Sequence, residues 1–526
     1  MRAINVLLAI LISVLIGLGV FEAGLRLIGK GPAPMVLEFD QQLGWKKRAE
    51  LDLKRSGPEY SVRLVTNQYG LADDPMSSPG KAAGTYRVIA LGDSFTQGFT
   101  VDRKDLFVDV LERWWQNEGR KVEIVNAGCE AYSTDQEVAW LLEHGAHFQP
   151  DAVAIFAYEN DIFWCGSSTY EARDTQKPVF RADGTSESGT LADVGPRAWY
   201  DNSGIGLLLK PFVADRSAAQ KYYFTPEGAT RPISKEFAPL LATQPDFLAD
   251  SVARTKGALT ALKKKCDELG AKLVLVTIPS HAAIDAAHAE KFAQQRLGGL
   301  GDGAWSADKP VDTFLGIAKE LGIPALDPRA YLRQVAAGGQ KLYFDIDWHL
   351  NPDGNRVFAH FLHDELERQS FFPPTVVATT TVPAPPDHVE QGGIPTWAYV
   401  FAGLWVFLSS LFVTTYPDEN KALAPVKIGA FLAAIFTIAI GGNKLIGMLP
   451  PQYSKMVFIV FVLVVVGFIV YKLGRRVGTV AELMKAFTLR GHWYLMPLIV
   501  VLLSIGSLLV VAASSPFVAP FIYTLF

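Results

Sequence analysis

Only three of the 526 residues are cysteines, and only 19% are charged. Cys129, Cys165 and Cys266 lie far apart, without a C-x-x-C pair or metal-ligand spacing. That excludes a disulfide framework and gives no sign of a metal site. Three buried free thiols are expected, with a Cys129–Cys165 bond as the lesser alternative. The net charge of −4 and the lack of a basic stripe remove the electrostatic case for a nucleic-acid partner. No cofactor motif stands out. The Gly-rich stretch 298–303 (GGLGDG) is not fed by a strand and reads as a loop rather than a phosphate cradle.

Apolar residues, by contrast, make up 49% of the chain, and they are unevenly spread. Residues 4–21 form an uncharged run close to the ~20 residues a helix needs to cross a bilayer. No A-x-A-like cleavage site follows, so residues 1–30 are expected to be an uncleaved anchor. Glu22 and Arg26, four apart, can pair as that helix ends. Four further runs, 396–416, 426–448, 456–471 and 493–513, are each long enough to span. Starting inside, five spans put Lys472, Arg475, Arg476, Lys485 and Arg490 in a cytoplasmic loop, whereas the outer loop 449–455 holds only Lys455. The positive-inside rule thus predicts a bacterial cytoplasmic-membrane protein with its large domain outside, on the periplasmic or extracellular face. The spans contain no central Asp, Glu or Arg to mark an ion path.

Between anchor and bundle, residues 31–85 read as an extended lead-in. Apolar runs at 86–92, 121–125, 151–158 and 271–278 predict buried strands, and periodic segments near 104–117, 134–145, 248–269, 312–321 and 352–368 predict helices. Such alternation predicts an α/β domain over 86–370 with a parallel sheet covered on both faces. Catalytic groups then belong beyond the strand C-termini. Residues 166–245 break the rhythm and read as an insertion, with a hairpin at 178–184. The Pro/Thr-rich 371–395 is a semi-rigid linker to the all-α membrane region 396–526.

Ser94 follows the first strand in LGDSFTQG, at a strand-to-helix turn that would expose Oγ and aim backbone N–H groups at a developing oxyanion. Thr96 occupies the second glycine position of a G-x-S-x-G elbow, so that motif fails. Three more blocks follow in order: Asn126-Ala127-Gly128, Asn160-Asp161 and Asp347-Trp348-His349. With Gly92-Asp93-Ser94 and Gly98, the four blocks resemble the SGNH (GDSL) hydrolase family over about residues 36–370. Leu43-Gly44-Trp45 and Asn67-Gln68-Tyr69-Gly70 resemble the lead-in of its bacterial membrane-anchored members.

The resemblance implies a three-layer, flavodoxin-like sheet domain. It makes Ser94 the nucleophile, His349 its base and Asp347 the supporting carboxylate. Ser94 N–H, Gly128 N–H and the Asn160 amide would form the oxyanion hole. The family's usual fourth block is D-x-x-H; with Ile346 at −3, the carboxylate falls to Asp347 at −2, preferred here, or Asp345 at −4. Tyr158, standing two before Asn160, either shapes the acyl or sugar pocket or belongs to the core. Phe163 and Trp164 either line a carbohydrate subsite or pack. The end of the chain resembles small bacterial membrane proteins of unknown function, and the spans before it resemble SxtJ-type membrane proteins.

The expected activity is that of a serine esterase or O-acyltransferase acting on acyl groups of a surface glycan or small ester. Its partners would be the bilayer and a membrane protein met through 396–526. The rival expectation is a non-catalytic scaffold in polysaccharide export.

Overall fold

The computed structural model describes residues 31–372 apart from 76–78, 172–174, 196–197 and 214–217, together with 15, 17–26 and scattered positions from 401 to 433. Most of the apolar runs at 4–21 and in 396–526, and nearly all of the 371–395 linker, lie outside the described residues. Among those described, no helix is long and apolar enough to cross a membrane.

The chain divides into two compact units. The larger unit takes 34–196 and 215–386 and is built on a five-stranded parallel sheet. Its strands are β1 (Tyr86–Gly92), β2 (Val122–Asn126), β3 (Ala152–Ala157), β4 (Lys272–Thr277) and β5 (Ala325–Leu326), in spatial order 2-1-3-4-5. This is the doubly wound order whose chain reverses direction across the sheet at β1/β3. Gly92 of β1 pairs with Phe156 of β3, so both strands end together at that reversal.

The middle of β1, β3 and β4 is a continuous apolar run because both faces are covered, with Arg87 and Lys272 near the strand starts. Val88, Ala90, Ile124, Ala154, Phe156, Val274 and Val276 face one core, under helices α1 (Phe107–Asn117) and α5 (Pro352–Arg368). Ile89, Leu91, Val125, Val153, Ile155 and Leu275 face the other, under α2 (Thr134–Phe148), α3 (Asp246–Leu269) and α4 (Lys309–Leu321). The period of two in side-chain direction sorts one apolar run between two cores.

The lead-in forms two antiparallel hairpins, Leu37–Asp40 with Gly44–Lys47 and Asp52–Ser56 with Ser61–Val65. Trp45 and Leu43 are buried against the α2 side of the sheet. In the insertion, Thr169–Tyr170 pairs with Thr175–Gln176, and a bridge joins Phe180 to Ser186 around the turn expected at 178–184. A buried ion pair closes this region: Lys177 reaches Asp135 at the start of α2 and also donates to Trp164 O (2.9 Å).

The smaller unit holds 1–33, 197–214 and 387–526. Within it Arg26 pairs with Glu22 at 2.7 Å. The Glu22 carboxylate also accepts the N–H groups of Gly204 and Ile205, the first donors of helix Gly204–Val213. A carboxylate at that end satisfies donors the helix cannot satisfy internally.

Cys129, Cys165 and Cys266 are all buried free thiols. Burial pushes the Cys129 and Cys266 thiols up to about 12, so neither supplies a thiolate at neutral pH.

Candidate active site

Ser94 opens a one-turn helix, Ser94–Gln97, at the C-terminal end of β1. Asp93 caps it by accepting the Phe95 N–H at 2.9 Å. Gly98 ends it at φ +80°, a left-handed conformation that favours glycine. As the first residue of the turn, Ser94 keeps an N–H with no acceptor inside the helix.

His349 arrives from the far end of the domain, just ahead of α5. Asn351 caps that helix by accepting the Gly354 N–H at 2.8 Å, and Pro352 fills its first position. Asn355 then accepts the Phe107 N–H at 3.2 Å and donates to Leu350 O at 3.0 Å, joining the starts of α1 and α5. The result is a series of hydrogen bonds. Ser94 Oγ lies 2.8 Å from His349 Nε2, and His349 Nδ1 lies 2.5 Å from Asp347 Oδ1. The Asp347 side chain is 5% exposed. Asp345 points elsewhere: its side chain is 61% exposed and bonds Lys341 at 2.7 Å, and that ammonium holds the carboxyl below its ordinary value.

Aromatic rings fix the imidazole. Phe95 lies 4.4 Å from its centroid, and Phe99 stacks parallel at 5.4 Å. A small cleft lined by Ser94, Phe99, Val101, His349 and Leu350 opens here.

The second block is tied to the first through Asn126. Its amide donates to Thr96 O (2.8 Å), while its Oδ1 accepts the Gly128 N–H (3.0 Å). In this structure, therefore, the Gly128 N–H assigned to an oxyanion hole is turned onto Asn126. Gly128 has to be glycine for a further reason: a Cβ would come within 2.5 Å of Gln97 N. The buried Lys47 ammonium donates to Gly128 O from the first hairpin, and burial depresses its pKa.

Asn160 follows β3, adjacent to β1, and its Oδ1 is buried without a hydrogen-bond partner among the described residues. Asp161 orients this loop by accepting the Tyr158 N–H (3.1 Å) and the Thr134 hydroxyl (3.3 Å). Tyr158 packs its ring 4.6 Å from Phe95, half-buried beside the first core. Phe163 and Trp164 require a correction. They are 7% and 2% exposed and pack with Tyr222, Tyr170 and Phe247, so neither presents a face to a sugar.

Several neighbours escaped the sequence reading. Trp348, between Asp347 and His349, has φ +69°, a left-handed backbone uncommon outside glycine. Its indole is seated against Arg296 (4.5 Å), Phe292 (5.4 Å) and His288 (5.6 Å). Glu159, one before Asn160, is 7% exposed, and burial pushes its carboxyl up to about 7 against the help of the Ser280 hydroxyl. An acid in the apolar run DAVAIFAYEN was the available signal.

That shift has a measurable sign. A carboxyl whose folded value exceeds its unfolded one stabilises most below the unfolded value, and the contribution is lost as pH rises through the folded value. The window for Glu159 runs from 4.5 to about 7. Thermal melts across it are expected to show the native protein losing stability relative to Glu159→Gln. Parallel melting curves would refute this assignment.

Residues 240–390 match the family model of the SGNH hydrolase-like domain, acetyltransferase AlgX. The chain carries an SGNH hydrolase-like domain. The match includes Asp347 and His349 and begins after Ser94. Residues 477–526 match a second family, of unknown function (DUF5989). No curated protein matches the chain.

Similar solved structures include a lipase/acylhydrolase from Enterococcus faecalis (13% identity, TM-score 0.30, 54% of this chain and 97% of that one). A lipolytic G-D-S-L protein from Veillonella parvula has the same identity and share of this chain, with TM-score 0.29 and 100% of its own length. An acetyl-xylooligosaccharide esterase from Geobacillus also has 13% identity, with TM-score 0.30, 54% of this chain and 96% of its own. The SGNH domain, with a serine, an imidazole and a carboxylate in hydrogen-bonded series, makes the chain a serine hydrolase or acyltransferase acting on esters.

Proposed function

We propose that this enzyme removes or transfers an acyl group on a surface glycan through a covalent intermediate on Ser94. The carrying observation is the series Ser94–His349–Asp347, with 2.8 and 2.5 Å between successive partners. His349 takes the Ser94 proton as Oγ attacks the ester carbonyl, then protonates the leaving alcohol. Asp347 holds the tautomer with Nδ1–H and stabilises the imidazolium.

Ser94 N–H and the Asn160 amide stabilise the tetrahedral oxyanion. Gly128 N–H joins them once it leaves Asn126, and each such donor is worth roughly 10²–10³ in turnover. Water or a sugar hydroxyl then attacks the acyl-enzyme, with His349 as base, and that choice separates hydrolysis from transfer.

The transfer alternative is motivated by the acetyltransferase in the matched family's description, and the surface glycan by the outward-facing placement expected of the domain. The cellular placement follows from the apolar runs: an anchor at 4–21 and four spans after 396, with the SGNH domain outside the cytoplasmic membrane and a membrane-protein partner engaged by the C-terminal region.

The test is full-length protein in detergent with a small acyl ester, with and without an oligosaccharide acceptor. Mass spectrometry is expected to find the acyl group on Ser94, and the acceptor to become acylated at the expense of free acid. An acylated Ser94 that yields only free acid in both arms would leave an esterase and remove the transfer reading. No acyl group on Ser94 in either arm would remove the covalent mechanism.

A further inference from the structure

The second lead-in hairpin reaches the His349 loop from nearly three hundred residues away in sequence. At its tip, residues 57–60, the Gly57 N–H bonds Tyr60 O at 2.9 Å. The Glu59 carboxylate extends from this turn and accepts three consecutive backbone N–H groups. Oε1 takes that of Asp345 (2.8 Å), and Oε2 takes those of Ile346 (2.7 Å) and Asp347 (3.1 Å). Successive N–H groups converging on one anion form a nest, and charged acceptors make the stronger hydrogen bonds.

The base of this loop is closed by the Phe344 N–H on His349 O at 3.0 Å and by a Tyr343–Leu350 bridge, but the side chains at its crown face away: Asp345 to Lys341, Asp347 to His349, and Ile346 to solvent at 50% exposure. The hairpin is also seated by rings. Tyr60 lies 6.3 Å from Phe99 and 6.0 Å from Phe344. Arg55, paired with Glu130 at 2.5 Å, covers Phe99 at 4.0 Å, and Phe99 in turn stacks on His349.

We infer that Glu59 is a positioning residue: its carboxylate holds the 345–347 backbone so that Asp347 and His349 meet Ser94 in register. The lead-in hairpin is then part of the active-site apparatus rather than a spacer. This deepens the reading of Ser94 as nucleophile and rests on it. Displacement of a reacting group by about 1 Å can cost ~10²-fold in rate while leaving substrate affinity little changed.

The experiment compares full-length native protein, Glu59→Ala, Glu59→Gln and Ser94→Ala. It measures kcat and KM on a small acyl ester, together with amide hydrogen exchange over 343–349 and global melting. Expected for Glu59→Ala is a kcat lower by about tenfold to 10²-fold with KM within about twofold, and faster exchange confined to that loop. Glu59→Gln, which keeps one acceptor oxygen, is expected to fall between. Native kcat in Glu59→Ala, or a rate loss without faster loop exchange, would overturn the inference. If the alanine variant does not fold, Glu59→Gln is judged by the same two criteria. If Ser94→Ala retains native turnover, the nucleophile reading fails separately, and loop exchange alone decides the role of Glu59.

Discussion

Ser94→Ala is expected to lower kcat on a small acyl ester by about 10⁴–10⁶-fold, because the members of such a series act as one unit and losing the nucleophile forfeits nearly the whole effect. The residual rate would come from binding and from the oxyanion donors, which alanine leaves in place. Stability is not expected to follow. Ser94 is half-buried and its hydroxyl bonds His349 at the edge of the site, so the melting temperature stays close to native. Retention of activity within about tenfold would place the nucleophile elsewhere.

The second large effect is expected at the carboxylate. Asp347→Asn keeps the shape but offers an N–H that rotates toward Nδ1, favouring the tautomer with the proton on Nε2. His349 then presents a donor where it needs a lone pair, and turnover is expected to fall about 10⁴-fold. Solvent cannot easily restore the missing acceptor, because the Asp347 side chain is 5% exposed. Asp345→Asn is the control. It loses the exposed Lys341 pair, of a kind worth little, and turnover is expected to stay within about twofold. A reversal of the two phenotypes would move the role from Asp347 to Asp345.

Much of this was legible in the residues, and the reasons differ by element. β1, β3 and β4 are built on short continuous apolar runs, a pattern that doubly covered parallel strands require. Helices α3 and α5 announced themselves by length and periodicity. The edge strand Ala325–Leu326 was too short to show a pattern.

The lead-in hairpins were missed because Asp52–Ser56 holds one apolar residue, Leu53, and Ser61–Val65 is only five residues long, which from sequence reads as extended chain with no stated partner. Ser94, Asn160 and His349 were marked by local motifs. Glu59 had no mark: its partners are backbone N–H groups, which have no side-chain identity to read, and they lie 286 to 288 residues away. Phe163 and Trp164 show the converse, since an aromatic pair beside a motif looks alike whether it faces a ligand or a core.

Trp348 explains how a one-residue gap does the work of the usual two. Its left-handed backbone aims Asp347 and His349 into one hydrogen bond, and its ring is held from the other side by Arg296, Phe292 and His288. Packing well outside the reacting atoms thus supports a backbone conformation disfavoured for a bulky residue.

The 255-residue separation between Ser94 and His349 also sets a timetable. A chain emerging from its N-terminus presents the serine early, but the imidazole, its carboxylate and the helix cap that seats them come last. Partial chains therefore carry an unactivated alcohol. Acyl chemistry switches on only when the final strand and helix close the domain, a built-in delay during synthesis.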